Sequence, residues 1–402
     1  MPYYTCRLAA EDGRVLSRNV LAPSPGECRK LFEAEGFGVL SVSRDWKKIQ
    51  VNVAVFGKKI RDRDFILFNQ ELMALIKSGY PILKSIETIA GRMKNVPFQE
   101  LLQKVGADIR AGKSLSEAFQ PHENRFSTVY IAALMAGEKS GNLPGTIGRY
   151  IEYAKTITRT RSRIRSALVY PTMLIAFSLL LMTLLITFVL PKFATFYQGF
   201  QAELPGITRA LIFLALGFRK YFLLVLFAAA LLVLAFLRAR KKPEFRVSMD
   251  KLKLKVPFGG PIMWESGISL FSRTLGLLLE AGISLLSAVG IACQAVPNRF
   301  LVKNLRSLPD AIKNGQALTD SLAATSVFPG LALDMIRIGE TSANLQGMLG
   351  EVSDFYDERI RAKIETLVSL IEPVVIILMA LIVAGMLLSV YLPIFNIIRI
   401  AR

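Results

Sequence analysis

Histidine occurs once in this 402-residue chain, at His122, and cysteine three times, at Cys6, Cys28 and Cys293. A single imidazole leaves a histidine-based triad only one place to be built. His122 lies in the polar stretch 120–125, where a surface residue is the simpler reading. The cysteines stand far apart and form no Cys-x-x-Cys pair, which argues against a disulfide framework or a zinc site and suits a reducing compartment. No carboxylate cluster has metal-ligand spacing. The amino terminus, Met-Pro-Tyr-Tyr-Thr-Cys-Arg-Leu, has no basic region followed by an apolar core. No cleavable signal peptide is therefore expected, and the first span must direct insertion.

Acidic residues are scarce as well, 31 against 50 Lys and Arg, for a formal charge of +19. Such a balance invites nucleic acid, but the distribution points to a membrane. Three stretches, 168–190, 221–237 and 373–392, lack Asp, Glu, Lys and Arg altogether. At about 1.5 Å per residue the first covers roughly 34 Å and the second about 26 Å, against a hydrocarbon core of about 30 Å. Basic clusters border them: Lys155, Arg159, Arg161, Arg163 and Arg165 before the first, Arg238, Arg240, Lys241 and Lys242 after the second, Arg359, Arg361 and Lys363 before the third. The positive-inside rule keeps these flanks in the cytoplasm. The stretch 191–210, with only Lys192 and Arg209, falls outside, as do Arg399 and Arg402, a small violation in a short tail. Topology and headgroup contact thus account for the charge, and no nucleic-acid partner is expected. Arg219 and Lys220 would be costly inside the bilayer, so 207–218 reads as an interfacial helix ahead of the second span.

The chain also repeats itself. A shift of 203 positions lays Phe68 on Phe271, Leu72 on Leu275, Gly79 on Gly282 and Gly112 on Gly315. One deletion later, at a shift of 202, Gly137-Glu138 falls on Gly339-Glu340, Asn142-Leu143 on Asn344-Leu345, Pro171 on Pro373 and Leu190-Pro191 on Leu392-Pro393. This is a duplication, and the extra middle span returns the chain so that both copies lie on the cytoplasmic side.

Apolar residues within a copy recur at three and four. Phe65, Phe68, Leu72, Leu75 and Ile76 mark a helix ended by Gly79, and a second follows Pro81. Pro97 opens a third, closed by Gly112. Ser114 and Glu117 have capping-box spacing for a short fourth. A fifth covers 129–136, with 137–141 as the turn after it. The sixth starts near Asn142 and should run directly into the span. Segments 3–8 and 15–20 flank the hairpin signal Asp12-Gly13, with a helix over 27–35 and a strand over 39–42.

The expected fold is therefore mainly α, a polytopic membrane protein with two repeated cytosolic six-helix bundles, three transmembrane helices and a small N-terminal α+β domain. Its divisions are 1–57 for the α+β domain, 58–167 for the first bundle, 168–190 for the first span, 191–220 for a periplasmic loop with the interfacial helix, 221–237 for the second span, 238–367 for the second bundle, 368–392 for the third span and 393–402 for a periplasmic tail.

Ala107-Asp-Ile-Arg-Ala-Gly112-Lys113-Ser114 meets a relaxed phosphate-loop pattern, which would make Lys113 the centre of an ATP-using enzyme. The chemistry needs a strand before the loop, and here a helix precedes it. The second copy reads Gly315-Gln316-Ala317 and has no lysine to offer. A transporter is the other alternative, against which the spans carry no buried ionisable residue. Glu372, just before Pro373, marks the mouth of the third span, at the interface or against a partner helix. Gly137-Glu138-Lys-Ser140, echoed as Gly339-Glu340-Thr-Ser, serves as a helix connection or places Glu138 and Glu340 for docking.

The Phe-x3-Leu-x6-Gly-x3-Leu helix at 68–83, the Gly-Glu-x-Ser-x-x-Leu turn at 137–143, Tyr170-Pro171 and Glu372-Pro373 together resemble the GspF/PilC family, inner-membrane platform proteins of type II secretion and type IV pilus machines. The resemblance covers nearly the whole chain. It implies a non-enzymatic scaffold without cofactor or metal, in the bacterial inner membrane with its N-terminus cytoplasmic and C-terminus periplasmic. It further implies coupling of a cytosolic hexameric assembly ATPase to extraction of pilins or pseudopilins, with other inner-membrane assembly components and further copies of itself as partners. Candidate interface residues are Glu138, Ser140, Glu340, Arg159, Arg161, Arg163, Arg165, Arg359, Arg361 and Glu372. After Gly141 the sequence Asn-Leu-Pro-Gly-Thr-Ile-Gly lacks the acidic residues of the secretion branch, which leans toward the pilus branch.

Overall fold

The computed structural model describes residues 3–9, 15–21, 25–34, 37–44, 60–123, 125–184, 188, 227, 231–240 and 242–400. The chain divides into two compact units, Met1–Arg61 with Asn95–Phe98, and Asp62–Lys94 with Gln99–Arg402.

In the first unit β1 (Tyr3–Ala9) pairs antiparallel with β2 (Val15–Leu21) on one edge and β3 (Gly38–Arg44) on the other. Helix α1 (Pro25–Ala34) supplies Cys28 and Phe32, which bury against Cys6 and Leu8 of β1. The alternation of strand side chains puts Cys6 and Leu8 on one face. A register shift between Arg7 and Leu8 accommodates one extra residue of β3, where Arg7 pairs with Ser41 and Leu8 with Val39.

The second unit begins with α2 (Asp62–Lys77), α3 (Ile82–Arg92), α4 (Val96–Arg110), α5 (Leu115–Phe119), α6 (Thr128–Ser140) and α7 (Leu143–Ala167). The ends of these helices are set locally. Gly112 takes φ +94°, a left-handed turn that closes α4. Ser114 and Glu117 form a reciprocal capping box on α5, and Asn142 accepts the Gly145 amide to start α7. The expected turn at 137–141 is shorter than the sequence suggested, because α6 runs on through Gly137 and Glu138 to Ser140. The core of this copy is aromatic. Tyr130 sits 4.9 Å from Phe65 and 4.8 Å from Tyr150 between ring centroids, and Phe119 and Phe126 are 4.9 Å apart.

Helix α8 (Val169–Leu184) follows α7 after a one-residue interruption at Leu168. Pro171 has no amide to continue the ladder, yet its counterpart Pro373 lies inside an unbroken helix, so proline alone does not account for the break. At the break the Thr172 hydroxyl joins its own amide on the Leu168 carbonyl, at 2.6 and 3.1 Å, where the second copy has Val374.

The second copy follows α9 (Pro243–Leu254) and comprises α10 (Gly259–Glu280), α11 (Leu285–Ala295), α12 (Arg299–Asn304), α13 (Leu308–Lys313), α14 (Leu318–Ala324), α15 (Gly330–Thr341) and α16 (Leu345–Ile400). Pro309, where the first copy has Gly106, restarts the helix and splits the counterpart of α4 in two. Four rings of the aromatic cluster, Phe65, Phe119, Tyr130 and Tyr150, are replaced by Ile268, Leu322, Ala332 and Val352, all buried, and the fifth, Phe126, is kept as Phe328.

Among the described residues, two helical stretches are long and apolar enough to cross a membrane, Leu143–Leu184 and Leu345–Gly385. Of the expected span 221–237, residue 227 and residues 231–237 are described and helical. The rest of that span, the loop 191–220 and the linker 45–59 lie outside the described residues. Helix α16 continues through the expected boundary at 393 to Ile400.

Candidate partner-interface site

The repeated Gly-Glu pair is built into each bundle. Glu138, in the last turn of α6, accepts the amides of Leu115 and Ser116, the second at 3.2 Å, and its other oxygen accepts the Ser116 hydroxyl. Glu340 on α15 repeats the arrangement, taking the amide of Leu318 at 2.6 Å and that of Thr319 at 2.9 Å. Each carboxylate therefore satisfies the otherwise unpaired first amides of a short helix more than twenty residues earlier in the chain. Gly137 and Gly339 permit the approach. A Cβ at Gly137 would come within 3.0 Å of the Leu143 Cα, and one at Gly339 within 2.9 Å of the Leu345 Cα. Ser140 is exposed, with its hydroxyl 3.4 Å from the Gly137 carbonyl. Glu138 also borders a cleft of about 670 Å³ that Met135 and Lys139 share with Ile291 and Gln294 of the second copy.

This geometry bears directly on Lys113. A phosphate would need the amides that open α5, and those already hold Glu138. A helix precedes the loop, and Lys113 itself pairs with Asp108 at 2.9 Å. His122 lies in the connection after α5, and burial, followed by the nearby Lys104 charge, lowers its pKa from 6.5.

The basic residues divide into two kinds. Arg159, Arg161, Arg163 and Arg165 are exposed along α7, as is Arg361 on α16, and none has an ion-pair partner among the described residues. Arg359 and Lys363 are engaged: both meet Oε1 of Glu265 on α10, at 3.1 and 2.8 Å. Arg273, on the same face of α10 two turns on, pairs with Asp354 at 2.8 Å and Asp357 at 3.0 Å, and Ser269 donates to Asp357 at 2.6 Å. The first copy has Asp62, Ile66 and Gln70 at the positions of Glu265, Ser269 and Arg273, so this polar seam belongs to the second copy alone. The spacing of Glu265, Ser269 and Arg273 at four-residue intervals was a sequence signal for it, overshadowed by the apolar residues between.

The two copies touch within the unit. Arg149 Nε lies 2.9 Å from Glu280 Oε1, and its Nη1 donates to the Glu280 carbonyl at the end of α10, also at 2.9 Å. Tyr153 and Thr274 share a hydrogen bond of 3.0 Å. Nearer the apolar ends, Thr160, Arg163 and Ile164 face Asp357, Ile360 and Arg361 across a cavity of about 330 Å³. Beyond it Tyr170 lies beside Glu372, its own counterpart in the repeat. The contacts advance in one direction along both helices, so α7–α8 and α16 run parallel.

Comparison with known proteins agrees with this repeat. The family model described as Type II secretion system (T2SS), protein F, matches twice, at residues 68–191 and 271–393. The chain is 29% identical over 401 residues to Type IV pilus assembly protein PilC of Thermus thermophilus, covering 99% of this chain and 98% of the relative. It is 28% identical over 351 residues to PilC of Pseudomonas aeruginosa, covering 87% of this chain and 94% of the relative. It is 29% identical over 399 residues to Type II secretion system protein F of Xanthomonas campestris, covering 98% of each.

Proposed function

The chain belongs to the type II secretion system protein F family, and on that premise we propose that it is the inner-membrane platform of a type IV pilus or type II secretion machine. The observation that carries the reading is the doubled bundle whose last helix leads, in each copy, into an apolar stretch running parallel to the other. In this reading the bundles lie in the cytoplasm against a hexameric assembly ATPase, and the apolar helices meet pilins or pseudopilins and other membrane components of the machine. Segment 221–237 is the returning span, the N-terminus is cytoplasmic, the C-terminus is periplasmic and the chain self-associates. The chain works as a scaffold with no catalytic step of its own.

The exposed residues Arg159, Arg161, Arg163, Arg165 and Arg361 stand where the bundles meet the apolar helices. They are the proposed points of headgroup contact and of mechanical transmission, with Glu138, Ser140 and Glu340 at the edge of the bundles and Glu372 at the mouth of the third span. Relatives named for pili and for secretion match at 28% and 29% identity, so the assignment is to the shared function of both branches.

The test is a flexible Gly-Ser insertion at Arg163 in a strain whose machine depends on this chain. The expected result is normal membrane insertion with loss of fibres or secretion. Unchanged fibres would sink the transmission, and failure of the intact chain to co-purify with the ATPase would sink the partnership.

A further inference from the structure

The contact between the copies is not reciprocal. The first copy presents α6 and α7, and the second receives them on α10, α11 and α16. The matching receiving face of the first copy, on α2, and the matching presenting face of the second, on α16, are left uncovered. Thr274 and Leu277 on α10 and Ala281 just after it are buried, whereas their counterparts Glu71 and Ala74 on α2 and Ser78 just after it are exposed. Tyr153 of α7 is partly covered at the contact, whereas its counterpart Phe355 on α16 is exposed.

The charges at these positions are complementary. The ion pair between the copies joins Arg149 to Glu280. The counterpart of Arg149 is Glu351 and that of Glu280 is Lys77, so the sign of each partner is reversed while the pair is kept. Both side chains are exposed, and neither is ion-paired among the described residues. The reversal also prevents the wrong combination, since Glu351 against Glu280 and Lys77 against Arg149 would repel.

We propose that a second copy of this chain lays its α16 against α2 of the first, repeating the contact between the repeats with Glu351 and Lys77 in place of Arg149 and Glu280. A contact of this head-to-tail kind closes into a ring when its rotation allows. Because α7–α8 and α16 run parallel, repeating the relation between them keeps every apolar helix in one membrane. The hydrogen bond of Tyr153 with Thr274 is not conserved in this second contact, where Phe355 meets Glu71 and contributes ring burial instead. The proposal rests on the self-association included in the platform reading, but its readout does not require a fibre.

The experiment uses the full chain in membranes. Two differently tagged chains are co-expressed, one carrying Lys77→Cys and the other Glu351→Cys, and oxidised. The native cysteines Cys6, Cys28 and Cys293 are buried, which keeps background linkage low. A disulfide joining the two tags is expected, as is a fall of about tenfold in association for Lys77→Glu or Glu351→Lys alone, recovered in the double variant. No link between the tags, a link from Lys77→Cys to a different protein, or a double variant no better than the singles would overturn the proposal. Association that persists in a chain unable to support fibres would count against the platform reading only. Thermal unfolding of each variant, expected to match the native chain because both positions are exposed, guards against misfolding.

Discussion

Ser116 offers both its amide and its hydroxyl to the carboxylate of Glu138, twenty-two residues away in sequence. That relationship recurs between Thr319 and Glu340, so the most recognisable pair in the repeat is first of all a helix cap from a distance.

Glu138→Gln and Glu340→Gln are expected to cost about 1–2 kcal/mol each, since a charge-assisted cap is replaced by a neutral one. Thermal unfolding in detergent checks this. A variant that loses ATPase association without any loss of stability would instead assign the carboxylate to docking.

Glu265→Gln is expected to cost about 1–3 kcal/mol, because Arg359 and Lys363 then share a single neutral partner. The cations are 46% and 35% exposed, so water screens part of the loss. Arg359→Gln should cost less than Glu265→Gln, since Lys363 remains. Equal effects in unfolding experiments would contradict the shared-acceptor geometry.

Ala343 holds φ at +55°, where Gly141 in the first copy holds +67°. Ala343→Gly should therefore stabilise by roughly 0.5–1 kcal/mol, the left-handed strain being larger than the backbone entropy that glycine adds. A lower melting temperature for this variant would refute the assignment of strain.

His122 titrates below 6.5 in the folded chain, with burial as the main cause and Lys104 next. The unfolded chain thus binds the proton more readily, and stability falls as pH drops below about 6.5. His122→Asn should lose less stability than the native chain between about pH 7.5 and pH 5.5. Identical pH dependence in the two proteins would show that His122 contributes nothing.

Thr172→Val should straighten the joint at Leu168 by freeing its carbonyl from the hydroxyl. Spin labels at Ser162 and Leu179 report the result as a longer separation, and Val374→Thr should shorten the matching distance on α16. No change in either would assign the break to another cause.

What could be read from the sequence was local or repeated. The capping box of Ser114 and Glu117, the close of α4 at Gly112 and the duplication all depend on residues a few positions apart or on self-comparison. The end of α6 was misread because Gly137 looks like a turn residue. Its purpose is clearance for α7, which no local pattern reveals. The division of the second copy's helix at Pro309 was visible in principle. The roles of Glu138 and Arg149 were not, because each depends on a partner more than twenty residues away, and the spacing of Glu265, Ser269 and Arg273 marked a polar face without naming its partners.

Helix α16 is one rod of 56 residues, about 84 Å long, while the matching path in the first copy is jointed at Leu168. The two arms therefore differ in compliance. Under the proposed coupling, a torque on the second bundle would travel along one continuous helix, and the same torque on the first would have to cross the break at Leu168. Equal inputs would then give unequal strokes, as in a crank with one stiff and one articulated link.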